Sequence, residues 1–171
     1  MKRPVRCNTS KPSPYLASHW QLLFRTGRLL TNAQPIHYAV DIGAGNGRNT
    51  KFLMEAGCIV TPLDAHDGCP RVIHVLLGYH ELPVPSNNVD IILCQYVLMF
   101  LDLPQRKQLY GEIQRIAAHG CSIMVELYPA KASHAPTEAA TAKLQREVVG
   151  ALGWSIVHQA KNRFIARRAT A

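Results

Sequence analysis

Val40-Asp41-Ile42-Gly43-Ala44-Gly45-Asn46-Gly47-Arg48 is the stretch from which the fold of this chain can be read. An apolar run, His37 to Ile42, leads into three glycines and then into a segment with helical spacing that stops near Gly57. Strand, glycine-rich turn and helix in that order make a turn of the nucleotide-binding kind. Glycines allow positive φ and let a ligand approach the main chain without a Cβ in the way. The amides that open the next helix add donors and a partial positive charge.

Spacing narrows the ligand. Glycines at 43, 45 and 47 read G-x-G-x-G, whereas the dinucleotide fingerprint G-x-G-x-x-G needs glycine at 48, where Arg48 stands. Asp41 lies two residues before the first glycine. A second acid, Asp64, ends the next apolar run (Cys58-Ile59-Val60-Thr61-Pro62-Leu63) and is placed to accept from two ribose hydroxyls. This constellation resembles the S-adenosylmethionine site of class I methyltransferases. That ligand carries no phosphate, so Asp41 does not repel it and can meet its cationic amino-acid end.

Length and composition set the frame. A chain of 171 residues is most economically one domain, 1–171, with residues 1–13 as a flexible arm. Apolar residues at 47% and charged ones at 18% describe a packed chain. No apolar run approaches the ~20 residues of a membrane span, and the basic start lacks a signal-peptide core. Five cysteines, scattered and without C-x-x-C, fit reduced thiols in a cytoplasmic protein. His66, Cys69 and His74 have no second pair at ligand spacing, so no metal is expected.

The net charge of +8 gathers at the two ends. Residues 1–40 carry Lys2, Arg3, Arg6, Lys11, Arg25 and Arg28 with no acid. Residues 139–171 carry Lys143, Arg146, Lys161, Arg163, Arg167 and Arg168 against Glu147 alone. Such ends leave room for weak nucleic-acid binding. Aromatic interleaving is poor, so ordinary solvated surface is the reading adopted.

The remaining elements follow in order. Ser13-Pro14 starts a helix through Tyr15, Leu16, His19, Trp20, Leu22, Leu23 and Phe24, ended by Gly27. The seven residues Ala65–Arg71 are short for a parallel crossover. Either a third strand over Val72–Leu77 follows an abbreviated link, the reading adopted, or 70–78 is a short helix begun by Pro70. Val89–Cys94 is a buried strand with Gln95 and Tyr96 at its end. Asp102-Leu103-Pro104 caps a helix that His119-Gly120 closes, and Cys121–Leu127 is a fifth strand leading to Tyr128. A helix near 137–150 precedes an antiparallel pair, Trp154–His158 and Arg163–Arg167. Strands alternating with helices imply an α/β fold: a doubly wound, mainly parallel, Rossmann-like sheet with a C-terminal antiparallel pair, abbreviated after the second strand. Its ligands bind beyond the strand carboxyl ends.

From about Pro14 to Pro129, and more weakly beyond, the chain is similar to small-molecule class I methyltransferases. Ser13-Pro14-Tyr15-Leu16, the run at 41–49 and Val97-Leu98-Met99-Phe100-Leu101 carry the likeness, nearest to the tellurite-resistance and thiopurine type. The resemblance implies S-adenosylmethionine as cofactor. Asp41, Gly43, Ala44, Gly45, Asn46 and Gly47 would frame its methionine part, Asp64 and Ala65 its ribose, and Gln95 and Tyr96 the methyl-transfer position. The acid usual near adenine is replaced by Tyr79-His80, with Glu81, followed by Leu82, as stand-in. The N-terminal helix would wall the acceptor pocket with Tyr15, His19 and Trp20, joined by Tyr128. No residue is required as a catalyst, because a sulfonium methyl needs only a positioned nucleophile. Amino-methylation of DNA bases is disfavoured by Cys94-Gln95-Tyr96-Val97, and no Pro-Cys supplies a nucleophile among Cys7, Cys58, Cys94 and Cys121. The alternatives to a small acceptor are RNA or protein methylation, and a non-catalytic cofactor-binding or partner-docking role.

Overall fold

A computed structural model describes residues 11–24, 36–66, 72–128 and 138–170. Its strands are β1 (His37–Ile42), β2 (Cys58–Asp64), β3 (Ile73–His74), β4 (Val89–Gln95), β5 (Ala117–Glu126), β6 (Ser155–Ala160) and β7 (Arg163–Arg167). They form one sheet in the order β3-β2-β1-β4-β5-β7-β6. Every pairing is parallel except those of β7, which runs antiparallel to both β5 and β6. The chain winds outward from β1 to β3 and then returns to lay β4 beside β1. That reversal opens a crevice above the carboxyl ends of β1 and β4.

Four helices cover the faces: α1 (Pro14–His19), α2 (Arg48–Glu55), α3 (Leu103–Ile116) and α4 (Glu138–Leu152). One layer joins Leu16, Leu23 and Leu53 to Ala39, Ile91, Leu93, Met124 and Ile165. The opposite layer packs Ile113, Ile116, Leu144 and Val148 against Val40, Ile42, Ile92, Ile123 and Val125. Asp102 caps α3 by accepting from the Gln105 amide at 2.9 Å, while Gln105 Oε1 accepts from the Asp102 amide at 2.7 Å.

Four expectations are corrected. The third strand shrinks to Ile73–His74, because β2 ends at Asp64 and offers no partner beyond it. Val75 still donates to the Asp64 carbonyl at 2.8 Å, after which Val75 and Leu77 turn into the core. Pro70 lies outside the described residues. α3 stops at Ile116 and β5 begins at Ala117, before His119-Gly120 and not after it. Ladder pairing slips there, from Val89 opposite Ala117 to Ile91 opposite Ser122, so Gly120 serves an irregularity within the strand (φ +75°). The N-terminal helix leaves α geometry at His19 and continues as a 3₁₀ turn, Trp20–Leu23; Gly27 lies outside the described residues. Ser13, assigned to the flexible arm, is fully buried.

The course of this N-terminal segment decides what it can touch. Ser13 meets Gln95 at the carboxyl end of β4. Nine residues later Leu22 accepts from Arg167, and Phe24 packs its ring on His37 at the start of β1. The segment therefore lies down the face of the sheet, from the carboxyl edge to the amino edge.

Candidate active site at the carboxyl edge

The glycine turn is anchored to β2. Gly43 and Ala44 both donate to the Leu63 carbonyl, at 2.8 and 3.0 Å. Gly43, Gly45 and Gly47 have φ of +77°, +57° and +76°. Gly43 is glycine for a second reason: a Cβ there would lie 2.2 Å from Val97 Cγ2, on the segment leaving β4. A Cβ on Gly45 or Gly47 would meet only open space. The turn is thus pinned on its inner side and vacant on its outer side. The Cα positions of Gly45 and Gly47 leave the main chain open to close approach by a ligand, which is what the methionine part of S-adenosylmethionine would require.

Asp64 stands at the rim of this turn. Its Oδ2 accepts from the Gly45 amide at 2.7 Å and its Oδ1 from the His66 amide at 2.8 Å. The His66 ring also lies on Oδ1, its Nδ1 at 3.2 Å, so among the described residues one position, on Oδ2, is left vacant. Asp41 is placed otherwise. It is 1% exposed, and Thr50 in α2 donates its hydroxyl to Oδ2 at 2.7 Å. Desolvation pushes its pKa up to about 6 against the lowering effect of Thr50, and the Asp64 charge adds to the rise. The expectation that Asp41 meets a cationic ligand end is corrected: the carboxyl is enclosed under α2 and shapes the turn from below.

Gln95 is likewise turned inward. Its Oε1 accepts from Asn49 Nδ2 at 2.7 Å, and its Nε2 donates to Ser13 Oγ at 3.1 Å and Glu126 Oε2 at 3.2 Å. Ser13 closes the ring by donating its amide to Asn49 Oδ1 at 2.9 Å. All four residues are buried. Gln95 therefore supports the crevice without lining it. Asn49 and Glu126 were missed in the sequence. Asn49 sits two residues beyond the last glycine of the motif and Glu126 at a strand end, which are the signals that point to them.

Tyr96 follows with φ +60°, an uncommon value for a bulky residue, and its amide donates to the Glu126 carbonyl at 2.7 Å. Burial raises its hydroxyl pKa, and the Glu126 carboxylate beside it adds to the rise. Its ring lies 5.0 Å from that of Tyr128, which receives the edge of Phe100 at 6.1 Å. Phe100 is 46% exposed, so this aromatic edge opens outward.

The other acceptor candidates do not join it. Tyr15 donates or accepts with His158 Nδ1 at 2.8 Å and carries the Arg163 guanidinium over its ring. His19 stacks on His158 at 4.4 Å, and Trp20 packs on Phe52 and Phe24. Glu81 and Leu82 are also displaced. Glu81 pairs with Arg115 at 3.6 Å and the Leu82 amide donates to Glu112. Those partners lie in the last turns of α3, toward the amino edge, so the adenine role given to Glu81 and Leu82 is corrected too. Ala65 holds the His74 ring on its carbonyl beside β3.

Residues 40–125, half of the chain, match the sequence profile of the methyltransferase domain. The chain belongs to that family. It is a class I, S-adenosylmethionine-dependent methyltransferase. No curated protein matches it in sequence. Among solved structures it is similar to a S-adenosylmethionine-dependent methyltransferase from Methanosarcina mazei, at 12% identity and TM-score 0.62, over 94% of this chain and 100% of that one. A 1,6-didemethyltoxoflavin N1-methyltransferase from Burkholderia thailandensis, with its acceptor and S-adenosylhomocysteine bound, shares 17% identity and TM-score 0.60, over 77% and 71%. The N-methyltransferase NodS of Bradyrhizobium japonicum, bound to S-adenosylhomocysteine, shares 18% and 0.56, over 88% and 84%. At these identities the likeness shows the methyltransferase's fold. None of the three is named for the tellurite-resistance or thiopurine type. Among the described residues, no helix of this methyltransferase is long and apolar enough to cross a membrane.

Proposed function

We propose that this methyltransferase acts on a small nucleophile held against the Tyr96–Tyr128–Phe100 edge. The observation that carries the reading is that edge itself: three rings in contact, one on a strained backbone, beside the strand ends that frame the glycine turn. The relative acting on 1,6-didemethyltoxoflavin has a compact acceptor of this size class. A thiol or other soft nucleophile of the tellurite-resistance and thiopurine kind is the first acceptor to screen.

When bound, S-adenosylmethionine supplies a sulfonium methyl that already carries its leaving group. The chain's task is then binding, alignment and exclusion of water. The open main chain at Gly45 and Gly47 would hold the methionine part, and Asp64 would accept from the ribose hydroxyls. Glu126 and the Ser13–Asn49–Gln95 ring hold the ends of β4 and β5 together, which fixes the aromatic edge beside the glycine turn. A general base is needed only for an acceptor still protonated at working pH. Tyr128 is the group in place, since His19 faces β6.

A polyanionic acceptor is less well served. Arg163 pairs with Glu126 at 3.5 Å, and Arg167 donates to Ser122 and the Leu22 carbonyl. Arg168 donates to the Gln114 and Ala117 carbonyls. These C-terminal arginines close the fold and do not present a phosphate-binding row. Weak RNA binding that falls steeply between about 50 and 200 mM salt is the expected residue of the net charge.

Methyl transfer to a panel of small thiols, amines and phenols, and to RNA, followed by mass spectrometry, tests the reading. Tyr128→Ala is expected to raise KM for the acceptor about tenfold and leave S-adenosylhomocysteine affinity unchanged, the loss of one stacking contact. A methylated nucleotide, or salt-resistant RNA binding, overturns it.

A further inference from the structure

A carboxylate offers about four hydrogen-bond positions, two on each oxygen. On Asp64 three are occupied among the described residues. The Gly45 amide takes one on Oδ2 at 2.7 Å, and the His66 amide takes one on Oδ1 at 2.8 Å. The third is taken by the His66 ring, whose Nδ1 lies 3.2 Å from Oδ1. Because an ionised carboxylate only accepts, that nitrogen carries the hydrogen. The two amides are held by the course of the chain through the turn and past β2. The ring is not: the His66 side chain is 52% exposed, against 11% for Asp64.

A ribose presents two neighbouring hydroxyls. One fits the vacant position on Oδ2. The other requires Oδ1, where both positions are filled while the imidazole stays in place. We propose that His66 is a specificity-determining residue for the cofactor, its ring holding the second ribose position on Asp64 until the diol displaces it. The inference rests on the reading of Asp64 as the ribose acid. It gives the side chain a role opposite to that of a ligand contact. His66 lowers affinity for the intact diol and reduces the penalty for a ligand that lacks one hydroxyl.

Calorimetry with S-adenosylhomocysteine and its 2′-deoxy and 3′-deoxy analogues, on the full chain, separates these roles. His66→Ala is expected to tighten S-adenosylhomocysteine roughly fivefold, the scale of one competing hydrogen bond removed. Affinity for the deoxy analogue lacking the displacing hydroxyl stays unchanged, so discrimination between the two ligands widens. The gain disappears in the Asp64→Ala background. Weaker or unchanged binding by His66→Ala overturns the proposal, as does an equal gain for all three ligands. Asp64→Ala alone is expected to weaken S-adenosylhomocysteine at least tenfold. If it does not, the ribose assignment itself fails, whatever His66→Ala shows.

Discussion

Two corners of the carboxyl edge handle their polar groups in opposite ways. At the β1–α2–β2 corner the groups face outward. The Cα positions of Gly45 and Gly47 border open space, and among the described residues Asp64 keeps a vacant position on Oδ2. At the β4–β5 corner they face inward. Ser13, Asn49, Gln95 and Glu126 are buried and satisfy one another. The first corner is built to be completed by a ligand, and the second is complete before any ligand arrives. Buried polar networks are costly unless each member is satisfied, so the closed ring is a rigid reference against which the open turn can be filled.

Besides the hydrogen bonds that Asn49 makes from α2, the two corners touch where Val97 crosses Gly43. That contact is where the contrast breaks most easily. Gly43→Ala must force a side chain into left-handed backbone and into a Val97 methyl 2.2 Å from the new Cβ. Together these are expected to cost about 2–5 kcal/mol, read by urea unfolding. The cost divides in a double mutant. Val97→Ala should recover the overpacking part in Gly43→Ala while the φ penalty remains. No recovery would show that backbone strain alone makes the position glycine.

The closed corner is next. Gln95→Leu keeps the volume but leaves the Asn49 amide and a Glu126 oxygen without a partner in the interior. At about 1–3 kcal/mol for each orphaned group, a loss of about 2–4 kcal/mol is expected. Asn49→Ala on top of Gln95→Leu should add far less than it costs alone, because the ring is already open. Additive losses would mean that the four residues are neighbours and not a unit.

What could be read in the sequence follows the same division. The outward corner is written in local pattern. A strand, three glycines at fixed spacing, a helix and an acid at the next strand end place Gly43, Gly45, Gly47 and Asp64 together without reference to distant residues. The closing β6–β7 pair was legible for the same reason, through alternating residues around Lys161-Asn162. The inward corner is not local. Ser13 and Glu126 lie far apart in the chain and meet because α1 lies along the sheet face, a path that helical periodicity cannot specify. The same gap misplaced Tyr15, His19 and Trp20: their spacing marks an apolar face, and only the tertiary path shows that it meets β6 and α2. Glu81 failed differently. An acid after a β-branched run reads as a strand end, but that strand stops at His74, and its continuation is carried down toward Arg115. Asp41 was located correctly and its role misjudged, because facing direction within a strand does not reveal that α2 closes over it.

Asp41 gives the smallest expected effect, and one of opposite sign. It belongs to the outward corner by sequence and to the interior by burial, where the hydroxyl and the backbone amide of Thr50 are hydrogen-bonded to its carboxylate. Its pKa rises from 3.8 to about 6 on folding, chiefly through desolvation. A raised acid binds its proton more tightly in the folded chain, so folding is favoured while the group is protonated and that advantage is lost as pH climbs from about 4 to 6. Above 6 the full cost of burying the charge is present. Asp41→Asn keeps an oxygen to accept from Thr50 and removes the charge. It is expected to stabilise the chain at pH 7 by about 1–3 kcal/mol, the upper value being the whole shift at 1.36 kcal/mol per pKa unit. The gain should shrink steadily below pH 6 and become small near pH 4, vanishing only at lower pH where the wild-type carboxyl is protonated in both states. Thermal unfolding of the two proteins side by side at pH 4, 5, 6 and 7 measures that difference directly. A constant difference across the series would show that the gain comes from packing. A loss of stability at pH 7 would show that Asp41 is ionised by design, held by the turn amides above it, and would return it to the ligand-facing corner.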